Sequence, residues 1–356
     1  MKINLSNPPH FISTILIACL LTLAGCSTES KPVAKFQETV FTMGTLVEVT
    51  ILGENKELAE QAYAAVLDDF NYMHNTWHPW QRNALRRVNG LLKIGAPFPL
   101  APSIMPLIKK SQTLSKQSRG LFNPAIGQLI KLWGFHQDDL ENIIEPPDDK
   151  DIQALLNNLP IMSDVKFDNL SMFGSNENIH LDFGGFAKGA AVDATIEHLK
   201  EFGIKNAVIN AGGDLRAIGH HGDRPWRIGI RNPRAKNVFA AIEISGDESV
   251  FTSGDYERYF ESNGQRYHHI IDPRTGYPAN KARSVTVIHS DASTADAAAT
   301  ALFIAGPELW HEIAQAMGLK YVMLIANNGE VYMNPAMAKR VEFMVKQPSV
   351  TLSKPL

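Results

Sequence analysis

Residues 263–278 read NGQRYHHIIDPRTGYP and contain a turn, a strand and a second turn. Asn263-Gly264 lies between two strand-like runs, and this dipeptide is typical of a type I′ β-hairpin. The second turn, at 272–276, gathers ionisable side chains at the end of an apolar strand. Loops held by a rigid strand are common positions for catalytic groups. The stretch therefore predicts antiparallel sheet and marks the first place to look for chemistry.

Strands and helices alternate irregularly along the rest of the chain, and a second Asn-Gly pair at 328–329 predicts a last hairpin. Strands are predicted at 39–51, 179–183, 206–210, 226–230, 240–244, 250–252 and 283–289, and helices at 56–74, 103–116, 124–133, 185–202 and 293–304. Pro124 is expected at the first position of its helix. Because no regular βαβ repeat is present, the pattern favours an α+β fold of mixed, largely antiparallel sheets with packed helices over a doubly wound sheet.

The N-terminus resembles a bacterial lipoprotein signal. Lys2 precedes an apolar run at 11–23, which is short for a membrane span and is followed by Leu23-Ala24-Gly25-Cys26. We expect residues 1–25 to be a signal peptide, Cys26 to be lipidated, and 26–37 to form a linker; an uncleaved anchor helix is the alternative. The remaining chain divides into one domain at 38–345 and a tail at 346–356. The protein would then be membrane-anchored and face the periplasm of a Gram-negative bacterium, with Ser27 favouring the outer membrane.

Composition excludes several classes of function. The net charge of −3 becomes −4 once Lys2 is removed, and the sequence has no basic stripe of the kind that binds nucleic acid. The sequence has 2 cysteines, Cys19 and Cys26, so the mature chain would have no free thiol. Disulfides, thiolate metal sites and cysteine nucleophiles are therefore excluded, and catalysis must use oxygen and nitrogen groups.

Two glycine-rich segments could approach a ligand. Residues 182–189, DFGGFAKG, follow a predicted strand and open a predicted helix, where backbone N–H groups attract phosphate. The segment is neither a Walker A loop nor a Rossmann fingerprint, and a tight turn with a surface lysine explains it equally well. Residues 210–214, NAGGD, are more typical of a bulge or hairpin corner.

Other side chains suggest a metal and a proton acceptor. Asp296 and Thr300 share one helix face, and their hard oxygen atoms suit Mg²⁺, although Asp296 alone is more typical of a surface acid near a helix start. His268 and His269 are adjacent on a strand and point to opposite faces. This alternation argues against a two-histidine metal site and favours an acid or base. Trp77 could stack on a ligand or belong to the core.

Taken together, these motifs resemble the ApbE-type FAD:protein FMN transferases. The resemblance covers most of residues 38–306 and runs in the family's order. The matching segments are TMGT at 42–45, GLFNP at 120–124, LWGF at 132–135, LDFGGFAKG at 181–189, NAGGDLRA at 210–217, PWR at 225–227, TSGDY at 252–256, HIIDPRTGYP at 269–278 and ADAAATAL at 295–302.

The resemblance implies a fold, an activity and a set of roles. Family members use Mg²⁺ to move the FMN half of FAD onto a threonine or serine hydroxyl of an acceptor redox protein, releasing AMP. Contacts to FAD would come from Met43, Trp77, Leu121, Phe122, Asn123, Asp182, Lys188 and Ile270. The metal would be held by Asp296, Thr300 and the carbonyl of Gly185, and His269 would be the catalytic histidine.

Two segments depart from the family pattern. Asn123-Pro124-Ala125 stands where the family usually has Asp-Pro-Thr, which removes a carboxylate and a hydroxyl near the flavin. Residues 83–89 keep only Leu85 and Asn89 of a more polar pattern. Two alternative functions use the same residues: Mg²⁺-dependent hydrolysis of FAD to FMN and AMP, and a flavin-binding lipoprotein without turnover.

Overall fold

A computed structural model describes residues 33–99, 101–137, 139–140 and 145–356. The expected signal peptide and Cys26 lie outside the described residues. From Ala34 to Leu356 the chain forms one compact unit. Among the described residues, no helix combines the length and the apolar character needed to cross a membrane.

The centre of the unit is a nine-stranded sheet in which the strands follow one another in chain order. Every neighbouring pair is antiparallel except β15 and β17, which are parallel. Its strands are β1 (Lys35–Thr42), β2 (Thr45–Leu52), β6 (Ala207–Ala211), β7 (Asp214–Ile218), β10 (Glu248–Gly254), β13 (Ala282–His289), β14 (Tyr321–Ala326), β15 (Val331–Met333) and β17 (Val350–Leu352).

Within the residues that the structure describes, three smaller sheets and eight α-helices complete the fold. The small sheets contain β3 (Phe98–Pro99), β4 (Val165–Asp168) and β5 (Ser171–Gly174); β8 (Trp226–Arg231), β9 (Val238–Ile244) and β16 (Val341–Phe343); and β11 (Tyr259–Ser262) and β12 (Gln265–His268). The helices are α1 (Lys56–Trp77), α2 (Ala84–Leu92), α3 (Met105–Gln117), α4 (Gly127–Leu132), α5 (Asp149–Leu156), α6 (Ala187–Glu201), α7 (Ala292–Ala316) and α8 (Pro335–Ala338).

The large sheet is covered on both faces. Ile209 and Val287 point into the main core with α1, α6 and α7, whereas their neighbours Val208 and Ile288 point into a second core under β8 and β9. This alternation is the period-two pattern expected of strands buried on both sides. The α+β class and the antiparallel pairing are thus confirmed.

The hairpin at Asn263-Gly264 forms as predicted, with φ of 50° and 77° at the two turn residues and β11 paired to β12. The single strand predicted at 39–51 is wrong, because Met43 and Gly44 also adopt positive φ and fold it into the β1–β2 hairpin. β1 begins inside the segment predicted as a linker, and β17 lies inside the predicted tail. Both segments therefore add strands to the sheet.

Two further corrections have one cause. Residues 179–183 do not form a ladder strand, and the helix predicted from Pro124 begins only at Gly127. The two segments instead hydrogen-bond to each other: the Asp182 N–H donates to the Pro124 carbonyl at 2.8 Å, and the Gly127 N–H donates to the His180 carbonyl at 2.9 Å. These hydrogen bonds satisfy the backbone groups without regular structure. Residues 179–183, whose apolar pattern is typical of a strand, therefore form a buried extended segment.

Candidate functional site

The site is built where the starts of α6 and α7 touch. A Cβ on Gly189 would lie 2.4 Å from the Ala292 carbonyl oxygen, so only glycine allows the two helices to approach this closely. The Gly189 N–H donates to Oδ2 of the buried Asp296 at 2.9 Å. This bond fixes the carboxylate and leaves Oδ1 for another ligand.

The three residues predicted to hold a metal lie together. A Cβ on Gly185 would be 3.3 Å from Thr300 Oγ1, so nothing separates the Gly185 backbone from that hydroxyl. Thr300 is one helical turn beyond Asp296 on the same face of α7. A carboxylate, a hydroxyl and a carbonyl are hard oxygen donors, and Mg²⁺ binds to few carboxylates when substrate phosphates supply the remaining ligands. The residues present therefore fit this ion.

No group of three or more His, Cys, Asp or Glu side chains with metal-holding geometry occurs in the described part of the chain. The predicted set needs one carboxylate, so the two observations agree. Ser253, at the end of β10, adds a further hydroxyl, with its Oγ 3.4 Å from Thr300 Oγ1.

Lys188 lies within what we call the charged cluster, formed with Asp214, Glu257 and Asp296. Its ammonium group pairs with the Asp214 carboxylate, whose other oxygen accepts the Thr252 N–H at 2.8 Å. Burial alone would lower the pKa of Lys188, but the carboxylates of Asp214, Asp296 and Glu257 outweigh it and raise the pKa. The lysine therefore stays a cation.

For Asp296 and Glu257 of the charged cluster, burial has a larger effect on the pKa than the opposite charge of Lys188 has. Burial raises the pKa of Asp296, and Lys188 only partly opposes this shift. Surrounding protein and the nearby Asp214 carboxylate raise the pKa of Glu257, even though part of that residue reaches solvent. Three carboxylates thus share one lysine, which makes the cluster receptive to a further cation.

His269 follows β12 and keeps one edge accessible to solvent. Its Nδ1 lies 3.2 Å from the Arg258 carbonyl oxygen, which can only accept, so Nδ1 carries the proton and Nε2 keeps its lone pair. Burial, followed by His268 and Arg258, lowers the pKa of His269 to about 3; Lys188 acts in the same direction. The imidazole is therefore neutral at physiological pH and can accept a proton through Nε2.

His268 is held differently. Its Nε2 donates to the Ala279 carbonyl at 2.6 Å, its Nδ1 accepts the Ile270 N–H at 3.3 Å, and its ring packs against Phe303. Both nitrogens have protein partners and the residue is buried. The two histidines point to different environments, as predicted, and only His269 has a free nitrogen.

The predicted FAD contacts are more dispersed. Phe122 reaches the Gly185 loop, 3.7 Å from a Cβ placed on Gly185, and Leu121 is buried beside it in the main core. Asn123 is engaged by protein: its amide donates to the Pro160 carbonyl and its oxygen accepts the Ala125 N–H. Its side chain therefore shapes the loop.

Met43, Trp77 and Ile270 contact the main core, the first two from its margin. Met43 occupies the β1–β2 turn, and Trp77 ends α1 with an indole nitrogen that has no hydrogen-bond partner within the described residues. None of the three takes part in the hydrogen bonds described above for the charged cluster or for His269.

Asp182 belongs to a second group, the aromatic cluster, formed with Trp80, His136 and His180. The His180 ring stacks on Trp80 with centroids 4.1 Å apart, and His136 meets Trp80 edge-on at 5.3 Å. Asp182 accepts hydrogen bonds from the Gly184 N–H and the Trp80 indole. In the described chain, His136 Nδ1 and His180 Nε2 are buried without a hydrogen-bond partner.

Burial decides the charge states in the aromatic cluster. It raises the pKa of Asp182 and lowers the pKa of His136, and it lowers the pKa of His180 to about 4, assisted by Lys93 and Lys131. Both imidazoles are therefore neutral. The cluster is therefore uncharged at both histidines, and the half-buried Trp80 is an aromatic side chain of the kind that stacks on planar ligands.

Several site residues were missed in the sequence. Asp214 ends the NAGGD motif, Ser253 lies in TSGD and Glu257 follows it. The first two motifs were noticed, but nothing in their spacing showed that they would meet Lys188 and Thr300. Trp80 and His180 lie in none of the motifs recognised in the sequence.

The comparisons with known proteins agree on one family. The sequence model of the ApbE family matches residues 43–323. The chain is 38% identical to the FAD:protein FMN transferase of Rhodobacter capsulatus over 92% of its own length, and spans 62% of that protein. It is 30% identical to the protein of the same name from Vibrio cholerae, covering 87% of this chain and 92% of the relative. The crystal structure of the ApbE protein of Thermotoga maritima superimposes with a TM-score of 0.76 at 31% identity, covering 84% of this chain and 96% of that one.

Proposed function

Because the chain belongs to the ApbE family, we propose that it is an FAD:protein FMN transferase that moves FMN from FAD to a threonine or serine hydroxyl of an acceptor redox protein. The hydroxyl oxygen would attack the FMN-side phosphorus of the FAD pyrophosphate. One P–O bond forms, the bond to the AMP half breaks, and AMP leaves. The hydroxyl proton would pass to His269.

The observation that carries this proposal is the neutral imidazole of His269, with a free Nε2, electrostatically linked to Lys188 and its carboxylates. A histidine that acts as a general base must be unprotonated at working pH and have an unoccupied nitrogen, and His269 meets both conditions. A pKa near 3 makes it a weak base. It would therefore accept the proton late, as the hydroxyl bonds to phosphorus, and orient the hydroxyl before that.

The charged cluster would act on the pyrophosphate. Gly185, Asp296 and Thr300 would hold Mg²⁺, which when bound neutralises phosphate charge and stabilises the leaving group. Lys188, kept cationic by its neighbours, would add positive potential at the same place. Asp214 would prevent the lysine from swinging away, since it holds the ammonium group from the sheet side.

The remaining predicted contacts would bind the rest of FAD. Met43 and Trp77 would line the flavin, Trp77 by stacking, and Leu121, Phe122, Asn123, Asp182 and Ile270 would complete the FAD site. Asp182, fixed by Gly184 and Trp80, presents its carboxylate beside the aromatic cluster.

The proposed setting rests on the sequence. Cys26 would carry the lipid, and the enzyme would face the periplasm of a Gram-negative bacterium, with Ser27 favouring the outer membrane. Radiolabelled palmitate should be incorporated by the wild-type protein and not by a Cys26→Ala variant. Label retained in that variant would show that Cys26 is not the lipidation site.

The activity is tested with the full chain in detergent, FAD, Mg²⁺ and solubilised membrane proteins as acceptors. Transfer yields AMP together with a protein band that keeps flavin fluorescence after denaturation. AMP without a fluorescent band would indicate FAD hydrolysis, and bound FAD without AMP would indicate a flavin-binding protein.

The role of His269 is tested in the same assay. The His269→Ala variant is expected to transfer FMN about 10²–10⁴-fold more slowly, the usual contribution of a general base. FAD binding, followed by flavin fluorescence quenching, should change little. A variant that labels acceptors at the wild-type rate would remove His269 from the mechanism.

A further inference from the structure

We propose that Asp193 is a positioning residue that sets the distance between α6 and α7 and thereby the affinity of the metal site. This inference rests on the proposed function, because it concerns the same ligands. Asp193 does not touch them. It lies one helical turn beyond Gly189 on α6 and contacts the first turn of α7.

The Asp193 carboxylate is fully used at this contact. Its Oδ1 accepts the Ala292 N–H at 2.8 Å, and its Oδ2 accepts the Ser293 N–H at 2.8 Å and the Ser293 hydroxyl at 2.7 Å. The first N–H groups of a helix have no partner within that helix. Here α6 supplies the partner, so the start of α7 is capped by another helix as well as by its own N-cap residue, Asp291.

Asp193 is itself anchored to the large sheet. Arg216 on β7 donates to Asp193 Oδ1 at 2.8 Å and to both carboxylate oxygens of Asp247 at 2.7 and 2.8 Å. Arg216 also donates to Glu197 on α6 at 2.9 Å, and because its side chain is only 7% exposed, these acidic partners hold it in place. The sheet, α6 and the start of α7 are thus joined through one carboxylate.

The position of the start of α7 determines where Asp296 and Thr300 lie. Asp296 is four residues beyond Ala292, about 6 Å along the helix axis, and Thr300 is one turn further. Gly185 lies just before α6, so the separation of the two helices sets the distance from the Gly185 carbonyl to the Asp296 carboxylate. Among the described residues, two hydrogen-bonded contacts join the helices near the ligands, in addition to the close packing at Gly189: the Gly189–Asp296 bond and the Asp193 carboxylate.

The test compares Asp193→Asn with Asp291→Ala. Asparagine keeps the shape of Asp193, but its NH₂ group cannot accept the bonds that one oxygen receives. Asp291→Ala removes the local N-cap bond to Thr294 and the salt bridge to Lys110 on α3, and leaves the α6 contact in place. Each variant loses hydrogen bonds at the same helix start, so both are expected to melt at lower temperature than the wild type.

Binding is measured on the full chain with Mn²⁺ alone, by electron paramagnetic resonance of the free ion, and no turnover is needed. We expect Asp193→Asn to raise the Kd for Mn²⁺ about 10–100-fold, as removal of groups that orient metal ligands usually does. Asp291→Ala should keep the wild-type Kd. If Asp193→Asn fails to fold, Ser293→Ala, which removes one of the four bonds, should still raise the Kd by a smaller factor.

Equal Kd values for the wild type and Asp193→Asn, or for Ser293→Ala where that variant replaces it, would overturn the inference and leave Asp193 a purely structural residue. A wild-type protein that binds no Mn²⁺ would overturn it as well. If Mn²⁺ binds as expected but no acceptor is labelled with FMN, the proposed transfer fails and the role of Asp193 stands.

Discussion

The charged cluster and the aromatic cluster are joined by one loop, which begins at Asp182 and ends at Lys188. Both clusters are enclosed by protein, but enclosure acts on them differently. In the charged cluster, carboxylates offset the burial of Lys188 and raise its pKa. In the aromatic cluster no such partner offsets the burial of His180, and its pKa falls to about 4.

This difference shows that burial by itself does not determine charge. A buried group stays ionised when an opposite charge lies beside it and becomes neutral when none does. The segment at 182–188 therefore connects a region where Lys188 stays cationic with a region where the histidines are uncharged. The contrast can be tested by removing charges from each side.

The largest effect is expected from Lys188→Met. This change leaves the Asp214 carboxylate, 6% exposed, without its cation, and breaking such a pair costs about 3–5 kcal/mol of the free energy of unfolding. Urea denaturation in EDTA measures it.

A double variant, Lys188→Met with Asp214→Asn, provides the control. It should recover part of the loss, because the carboxylate that pairs directly with Lys188 is gone and the amide oxygen can still accept the Thr252 N–H, whereas Asp296 and Glu257 still lack their cation. If the double variant is as unstable as the single one, lost packing rather than charge would explain the effect.

A smaller, pH-dependent effect is expected from His180→Phe. As pH falls below 6.5, the unfolded wild-type chain takes up a proton on His180 while the folded chain, with a pKa of about 4, does not. The wild type therefore loses stability between pH 8 and pH 5, by about 2 kcal/mol from this residue, and the phenylalanine variant does not.

The measurement is the difference in unfolding free energy between that variant and the wild type at pH 8 and pH 5. The ring stacked on Trp80 is retained, so the difference at pH 8 should be small. A difference that stays constant with pH would mean that His180 titrates alike in both states.

The smallest effect is expected from Asp182→Asn. Burial raises the pKa of Asp182, so its charge already costs stability; the amide keeps an oxygen for the Gly184 N–H, and the main loss is the hydrogen bond from the Trp80 indole. We expect a loss below about 1 kcal/mol at pH 7. Because a raised pKa favours the folded state at low pH, the wild type should become more stable relative to the variant as pH falls through that pKa. If Asp182→Asn lowered the free energy of unfolding as much as Lys188→Met does, the difference drawn between the two clusters would be wrong.

Local signals predicted local structure well. Asn263-Gly264 identified its hairpin because the dipeptide alone favours the positive φ values that the turn needs. The helical pattern at 56–74 found α1, which continues to Trp77. Met43-Gly44 makes a similar turn with a weaker signal, and the hairpin there was read as one strand.

The residues of the site also differ in whether a local motif identifies them. Gly185, Lys188, Asp296 and Thr300 were selected from motifs, and the structure places them together. Asp193 was not selected, because its partners lie 23 and about 100 residues away and no spacing rule links them. Contacts across such distances depend on packing, which one sequence does not reveal.

The order of the strands in the large sheet has a consequence for how the chain is made. Since each strand pairs with the strand that precedes it among the nine, every new strand can add to an edge that already exists as the polypeptide emerges from the ribosome. No strand must be inserted between two earlier ones. β17 is the edge strand of the finished sheet, so a chain released before β17 is made would expose the edge of β15 instead, and that edge could pair with other chains.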